Sequence, residues 1–298
     1  MSKISKLGLG IIAFEGTEHL KNITYELRDT CDVITVCLQK TSYHGDPIQQ
    51  EDIDDIEKLK DCGLIDSIIW FEPTELYKDD HVSGPRLIET DKRNFILDYL
   101  EFVEHCSHSL VIDSDEFYDH TDFKNAKEFI DSQDDVHVTY CQYVNYYRDY
   151  RHLLVWPYFA YVPFITEAKY RFNFKNGSFD KPSDPTRRYL LDGENKIYHL
   201  VSYNLVKMHH LSWIRKDIMK KIDSWSSKNL FENVHGLREA IIERYNNYIE
   251  GQNAIIMFNV PFYQVVVNTL PKQYIHPHYK ITADPEKYLK YESSNRNS

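Results

Sequence analysis

Ser109-Leu110-Val111-Ile112-Asp113-Ser114-Asp115-Glu116-Phe117 is an apolar run that ends abruptly in carboxylates. Its first half has no helical period and is rich in branched side chains, as a buried strand requires. Two Asp two residues apart just past such a strand lie where open α/β sheets bind ligands. Asp oxygens there suit Mg²⁺ or Mn²⁺, which can in turn hold a diphosphate. Spacing alone is weak, since Asp52-Ile53-Asp54 repeats it on an acidic helical stretch. The strand in front of Asp113 distinguishes the two.

The same alternation extends towards the N-terminus. Leu7 to Phe14 reads as a buried strand. Thr17 is positioned to cap a helix in which Leu20, Ile23 and Leu27 recur at three and four residues. Asp32 to Leu38 and Asp66 to Phe71 are two further strands. They flank a turn at Gly45-Asp46-Pro47 and an acidic helix with Ile53, Ile56 and Leu59 on one face. Ser83, with Pro85 in the first turn, opens a long helix to about Cys106. This β-α-β-α-β-α-β order predicts an α/β, Rossmann-like fold with a mostly parallel mixed sheet and helices on both faces, in a single main domain with an irregular C-terminal helical part. The later part is less regular. Strands are expected at 136–147, 153–165 and 197–208, a polar loop at about 173–195, and helices at about 213–224 and 235–250. The chain from Asp284 onward is a polar tail.

Composition excludes several classes. A chain of 298 residues with 23 Tyr, 15 Phe and 4 Trp carries too much buriable surface for disorder. No apolar run reaches the roughly 20 residues of a membrane helix; the longest, Leu153 to Ile165, contains Pro157 and Pro163. Five cysteines without a Cys-x-x-Cys pair suggest reduced thiols, hence the cytoplasm, or host cytoplasm for a viral protein. The net charge of −11 is concentrated: residues 44–91 hold 14 acids and 4 bases, whereas 168–244 hold 15 bases and 9 acids. An anionic ligand is therefore compatible with the later half.

That half contains Lys207-Met208-His209-His210-Leu211-Ser212-Trp213-Ile214-Arg215-Lys216-Asp217. Ser212 is a candidate N-cap, with Trp213, Ile214 and Ile218 turned inward from the helix after it. A neutral imidazole at a strand end can complete a metal shell begun by carboxylates, and Arg215 and Lys216 could reach phosphate oxygens. Tyr140, Tyr143, Tyr146, Tyr147 and Tyr150, interleaved with Arg148 and Arg151, are either a stacking platform for an acceptor or sheet packing.

Taken together, the Asp-x-Asp-Glu-Phe and His-His-x-Ser-Trp-x-Arg-Lys-Asp elements resemble GT-A fold glycosyltransferases, specifically small family-2-like and phage-type enzymes. The resemblance covers most of residues 7–225. It implies a GT-A-like catalytic domain over 1–225, with a nucleotide-sugar half at about 7–117 and an acceptor half at about 118–225. A helical and strand extension over 226–283 and a tail over 284–298 would follow. The implied reaction is metal-dependent transfer of a hexose or pentose from a nucleotide sugar, UDP-linked in the expected case, to a hydroxyl of a glycan or of a hydroxymethylated base in phage DNA. Asp113 and Asp115 match the pair that holds Mn²⁺ or Mg²⁺ and the diphosphate, and His209 or His210 the late metal-binding histidine. Ala13, Phe14, Glu15 and Gly16 match the base and ribose region, and Lys92 or Arg93 would approach the donor. The family's catalytic carboxylate has no clear counterpart; Asp192 and Glu167 are the candidates. Asp113 as the nucleophile of a haloacid-dehalogenase-type phosphatase, and a non-catalytic nucleotide-binding or interaction module, are the competing readings.

Overall fold

The computed structural model describes residues 3–14, 17–73, 83–133, 136–155, 160–177, 179–190, 198–224, 236–250, 252, 254 and 264–267. Four parallel strands carry the first half: β1 (Leu7–Ile12), β2 (Val33–Gln39), β3 (Ser67–Phe71) and β4 (His108–Asp113), in the spatial order β3-β2-β1-β4. The helices between them are α1 (Leu20–Leu27), α2 (Gln50–Asp61) and α3 (Gly84–Asp98). The last continues through one wide π-type turn, Tyr99–Val103.

Strand β1 shows how sequence sets the layering. Leu7, Leu9 and Ile11 enter the main core on one face. Gly8 and Gly10 lie on the other, against α3 and its wide turn. A Cβ on Gly8 would stand 2.8 Å from Leu100 Cδ2 and Cys106 Sγ, and one on Gly10 2.8 Å from Ile96 Cδ1. Glycine is what allows the helix to press onto the strand.

After β4 the pattern changes. A two-residue strand β5 (Glu116–Phe117) and helix α4 (His120–Ser132), capped by Asp119 through the amides of Thr121 and Asp122, lead into β6 (Val138–Tyr147). Then come β7 (Asp149–Val155), β8 (Tyr161–Glu167), β9 (Tyr198–Leu200) and β10 (Lys207–Trp213). Helices α5 (Ile218–Ser224) and α6 (Leu237–Asn246) and strand β11 (Gln264–Val267) complete the described elements. Strand β8 runs antiparallel to both β4 and β6, β7 antiparallel to β6 and β11, and β10 parallel to β6 but antiparallel to β5.

The sheet is therefore mixed, not mostly parallel. The reason is connection length: a parallel neighbour needs a crossover of a dozen or more residues. Strands β6 and β7 are joined by Arg148 alone, held at φ 65°, and so short a link permits only antiparallel pairing. The expected strand at 153–165 is two strands, β7 and β8. The expected 213–224 helix begins later, because Ser212 lies inside β10 and Asp217 caps α5 instead, accepting from the amides of Met219 (2.9 Å) and Lys220 (3.2 Å). Thr17 does not cap α1; its hydroxyl donates to Asp52 Oδ1 at 3.0 Å.

Helices α5 and α6 pack with Tyr147, Leu154 and Trp213 in a second apolar cluster. The tail from Asp284 lies outside the described residues. Among the described residues no helix is long and apolar enough to cross a membrane.

Candidate functional site

Chain order reverses between β1 and β4: β2 and β3 are laid down on one side of β1, β4 on the other. Loops at the C-terminal ends of such a strand pair part in opposite directions and leave a crevice. A cleft of about 850 Å³ opens there, lined by Ala13 and Phe14 after β1, Gln39 at the end of β2, and Asp113 to Asp115 after β4. Its walls differ in sign. Helix α2 contributes Glu51, Asp52 and Asp55, whereas the later half contributes Arg187, Arg188, Arg215, Lys216, Lys220 and Lys221. The two walls touch where Lys220 meets Asp52 at 3.1 Å.

Asp113 and Asp115 sit in different surroundings. Asp113 Oδ1 is 2.8 Å from the Arg93 guanidinium, and Arg187 pairs with Oδ2. Arg93 also holds Glu89 (2.7 Å), and Arg187 also holds Glu116 (2.6 Å), which accepts the Asp113 amide at 3.0 Å. This is a lattice of three carboxylates and two guanidiniums, largely buried, with Asp113 its most exposed member at 26%. Burial would raise the Asp113 pKa, but Arg187 and Arg93 bring it below the usual value. Burial pushes Glu116 up to about 7 despite Arg187.

Asp115, 2% exposed, gives one oxygen to basic groups and one to the cleft. Its Oδ2 lies 2.5 Å from Arg215 and 3.2 Å from Lys221. Its Oδ1 faces His210 Nε2 at 3.7 Å. Burial alone would raise its pKa; Lys221, Arg215 and His210 overcome that and hold it well below the carboxylate range. His210 comes from β10, which is pinned beside the motif by the β5–β10 pairing and by the Leu211 amide on the Asp115 carbonyl (2.7 Å). Burial lowers its pKa to about 4, so the ring is neutral near pH 7.

The two histidines separate because successive residues of a strand face opposite ways. His210 lines the cleft. His209 is buried on the other face, stacked on Tyr146, with Nδ1 2.7 Å from that hydroxyl. The structure thus brings Asp115 and His210 face to face, holds Asp113 on guanidiniums, and takes His209 into the core. Among the described residues no three His, Cys, Asp or Glu side chains converge as a ready metal shell. A carboxylate oxygen opposite a neutral imidazole nitrogen nevertheless fits a divalent ion that takes its remaining ligands from a bound phosphate and water. The mixed N/O pair suits Mn²⁺ better than Mg²⁺.

The other expected residues divide similarly. Phe14 and the exposed Lys216 line the cleft. Arg215 is on Asp115, with Glu18 at 3.6 Å. Lys92 donates to the Ala13 carbonyl at 2.7 Å, and the fully buried Arg93 belongs to the lattice. Glu15, Gly16 and Asp192 lie outside the described residues.

Glu167 is not at the cleft. It pairs across the sheet with His108, the first residue of β4, five positions from Asp113, or roughly 16 Å along a strand. It binds His137 (3.0 Å) and Lys169 (2.7 Å) there. Of the five tyrosines, Tyr143 alone lines the cleft; Tyr140, Tyr146 and Tyr147 are fully buried, and Arg151 pairs with Asp149. They pack the sheet and form no platform.

Sequence reasoning did not single out Arg187, Glu89, Lys221, Asp184 or Gln39. Asp184-Pro185-Thr186-Arg187-Arg188 does carry a signal, an Asp cap followed by Pro in the first turn. It marks the short helical turn Pro185–Arg187 that delivers Arg187, but not its destination. Asp184 accepts the Thr186 amide at 2.8 Å and leaves its carboxylate partly open to the cleft. Gln39 is 1% exposed, and among the described residues neither Nε2 nor Oε1 finds a hydrogen-bond partner.

No family model and no curated protein matches this sequence.

Proposed function

We propose that the protein is a metal-dependent glycosyltransferase that moves a sugar from a nucleotide-sugar donor to a hydroxyl acceptor. The observation that carries this reading is the cleft at the chain reversal between β1 and β4, where Asp115 Oδ1 and His210 Nε2 face each other beneath a basic wall. One side of this cleft suits a nucleotide: Gln39 presents a buried donor and acceptor, the pattern that pairs with the edge of a base. Lys216, Lys220 and Arg188 supply positive potential for phosphates. Phage-type resemblance extends the acceptor choice to a hydroxymethylated base in DNA as well as a glycan, and a UDP-linked donor is the form to test first.

Asp115 and His210 would hold Mn²⁺, or Mg²⁺ with fewer protein contacts. When bound, such an ion neutralises charge on the leaving nucleoside diphosphate. The protein's own groups do the rest. Arg215 and Lys221 keep Asp115 ionised, and Arg187 fixes the turn that follows β4. Among the described residues Asp184 and Asp217 are the later-half carboxylates that line the cleft, and each also caps a helical turn; Asp184, 3.7 Å from the Arg187 that holds Asp113, is the one assigned to take the proton of an acceptor hydroxyl. As that hydroxyl oxygen bonds to the anomeric carbon, the bond from carbon to the diphosphate oxygen breaks. Arg93 and Arg187 both hydrogen-bond Asp113 Oδ2, and Arg93 also lies 2.8 Å from Oδ1; two guanidiniums paired with this carboxylate disfavour a phosphatase that would use it as nucleophile.

Calorimetric titration with a panel of nucleoside diphosphates and nucleotide sugars, with and without Mn²⁺, tests the reading. Metal-dependent binding of one nucleotide by the wild type, abolished in Asp115→Ala, is the expected result. Absence of binding to every member by folded protein would overturn it.

A further inference from the structure

We propose that Asn145 is a positioning residue that selects the tautomer of His210 and so creates the cation-binding pair. The proposal deepens the metal-dependent reading of the same cleft and rests on it. Asn145 stands on β6 directly opposite His210 of β10 in the parallel register. It is 3% exposed, and its Oδ1 lies 2.6 Å from His210 Nδ1. A carboxamide oxygen can only accept, so the hydrogen in this contact belongs to Nδ1. A neutral imidazole carries one N–H, which leaves Nε2 with a bare lone pair.

That lone pair faces Asp115 Oδ1 at 3.7 Å, another acceptor. Two acceptors turned towards each other repel when nothing lies between them and converge on a cation when one does. Without Asn145 the outcome would reverse. An isolated His210 would place its hydrogen on Nε2 and donate it to Asp115, closing the pair with an internal hydrogen bond. Asn145 therefore determines whether Asp115 and His210 are a satisfied couple or a ligand set.

The rest of the environment agrees. Tyr143, two residues earlier on the same face of β6, meets the His210 ring edge-on at a centroid distance of 6.0 Å and fixes its plane. Arg215 and Lys221 both contact Asp115 through Oδ2, so Oδ1 is the oxygen left towards the imidazole. Orienting partners of this kind change metal affinity by about 10–100-fold when removed.

The test reads the ring directly. Imidazole ¹⁵N NMR of the metal-free protein at pH 8 should show His210 as the Nδ1–H tautomer. In Asn145→Ala it should move to Nε2–H, and the affinity for Mn²⁺ alone, measured by titration, should fall about 10–100-fold. Asn145→Asp keeps an acceptor in the same place, so it should retain the Nδ1–H tautomer and bind Mn²⁺ at least as well as a few-fold below wild type. Circular dichroism of both variants separates these effects from misfolding.

An Nε2–H tautomer in the wild type would overturn the proposal. So would Asn145→Ala that is folded, with tautomer and Mn²⁺ affinity unchanged, or a wild type that binds no Mn²⁺. Failure of the glycosyltransferase reading looks different: Mn²⁺ binding sensitive to Asn145, with no nucleotide or nucleotide sugar bound, would leave the role of Asn145 intact and remove that reading alone.

Discussion

Asp113 and Asp115 are two residues apart, and their surroundings put them to opposite uses. Asp113 is enclosed in a lattice with Arg93, Arg187, Glu89 and Glu116, in which every carboxylate meets a guanidinium. Asp115 is the more buried of the two, its side chain 3% exposed against 26% for Asp113, but it keeps Oδ1 turned to an imidazole nitrogen and meets its basic partners through Oδ2. A closed network specifies geometry, whereas an open oxygen can act on a ligand. The pair teaches that the Asp-x-Asp spacing does not make two equivalent ligands: both residues line the cleft, but the first is held by two guanidiniums and the second turns one oxygen to an imidazole.

The contrast is most exposed to Arg187. Replacing it with Met leaves Asp113 and Glu116 buried with less compensation, and loss of one partner from such a pair costs about 3–5 kcal/mol. Urea unfolding of Arg187→Met should show a loss of that order. Asp115→Ala also takes a partner from the largely buried side chain of Arg215 and so should cost stability as well; what sets it apart is the loss of metal-dependent nucleotide binding, by at least about 100-fold, the combined weight of a charged ligand and its ion. If Arg187→Met proves as stable as wild type, or Asp115→Ala binds nucleotide normally, the division of labour between the two carboxylates is wrong. Asp184→Asn sharpens the same division from the acceptor side: turnover should fall by about 10²–10⁴-fold with donor affinity kept. Equal loss of donor affinity would make Asp184 part of the donor site instead.

A smaller effect is expected at Gln39. Its buried amide lacks a partner among the described residues, and such a group costs about 1–3 kcal/mol. Gln39→Leu should therefore raise the thermal midpoint slightly and weaken nucleotide binding about tenfold, leaving inorganic diphosphate binding unchanged. A lower midpoint together with unchanged nucleotide affinity would assign the amide a purely structural role.

How much of this was legible depended on the kind of regularity. Strands β1 to β4 and the helices between them follow from apolar runs, periodic Leu and Ile, and the Ser83/Pro85 signal, because each depends on neighbours in sequence. The end of β4 at Asp113 follows for the same reason. The opposite destinations of His209 and His210 follow from strand alternation, but only once residues 207–213 are known to be a strand; the capping power of Ser212 suggested a helix boundary there instead. Register with β6 and β5 overrides that local preference. The placement of Glu167 at the far end of the sheet likewise depends on β8 running antiparallel. The lattice around Asp113 depends on contacts between residues 93, 113, 116 and 187, which nothing local encodes.

Lys92 extends the comparison to a buried charge outside the carboxylate pair. It is 1% exposed and donates to the Ala13 carbonyl, and burial lowers its pKa to about 8 from 10.5. Below pH 8 both folded and unfolded chains hold the proton, and the full cost of burying the charge is present. Between pH 8 and 10.5 the unfolded chain holds a proton that the native state has released, so this group makes stability rise with pH, by at most about 1.4 kcal/mol per unit. Buried Cys31, Cys37 and Cys141 act in the opposite direction above pH 9, since burial raises their thiols to about 11 or 12. The wild type alone would mix the two trends. Lys92→Met isolates one of them: its stability relative to wild type should be highest at pH 7 and decline steadily from pH 8 to 10, read from urea midpoints at each pH. Loss of the Ala13 contact adds only a constant offset. A difference that stays flat across that range would mean that the amine is not desolvated in the native state, and that Lys92 belongs with the solvated bases of the cleft wall.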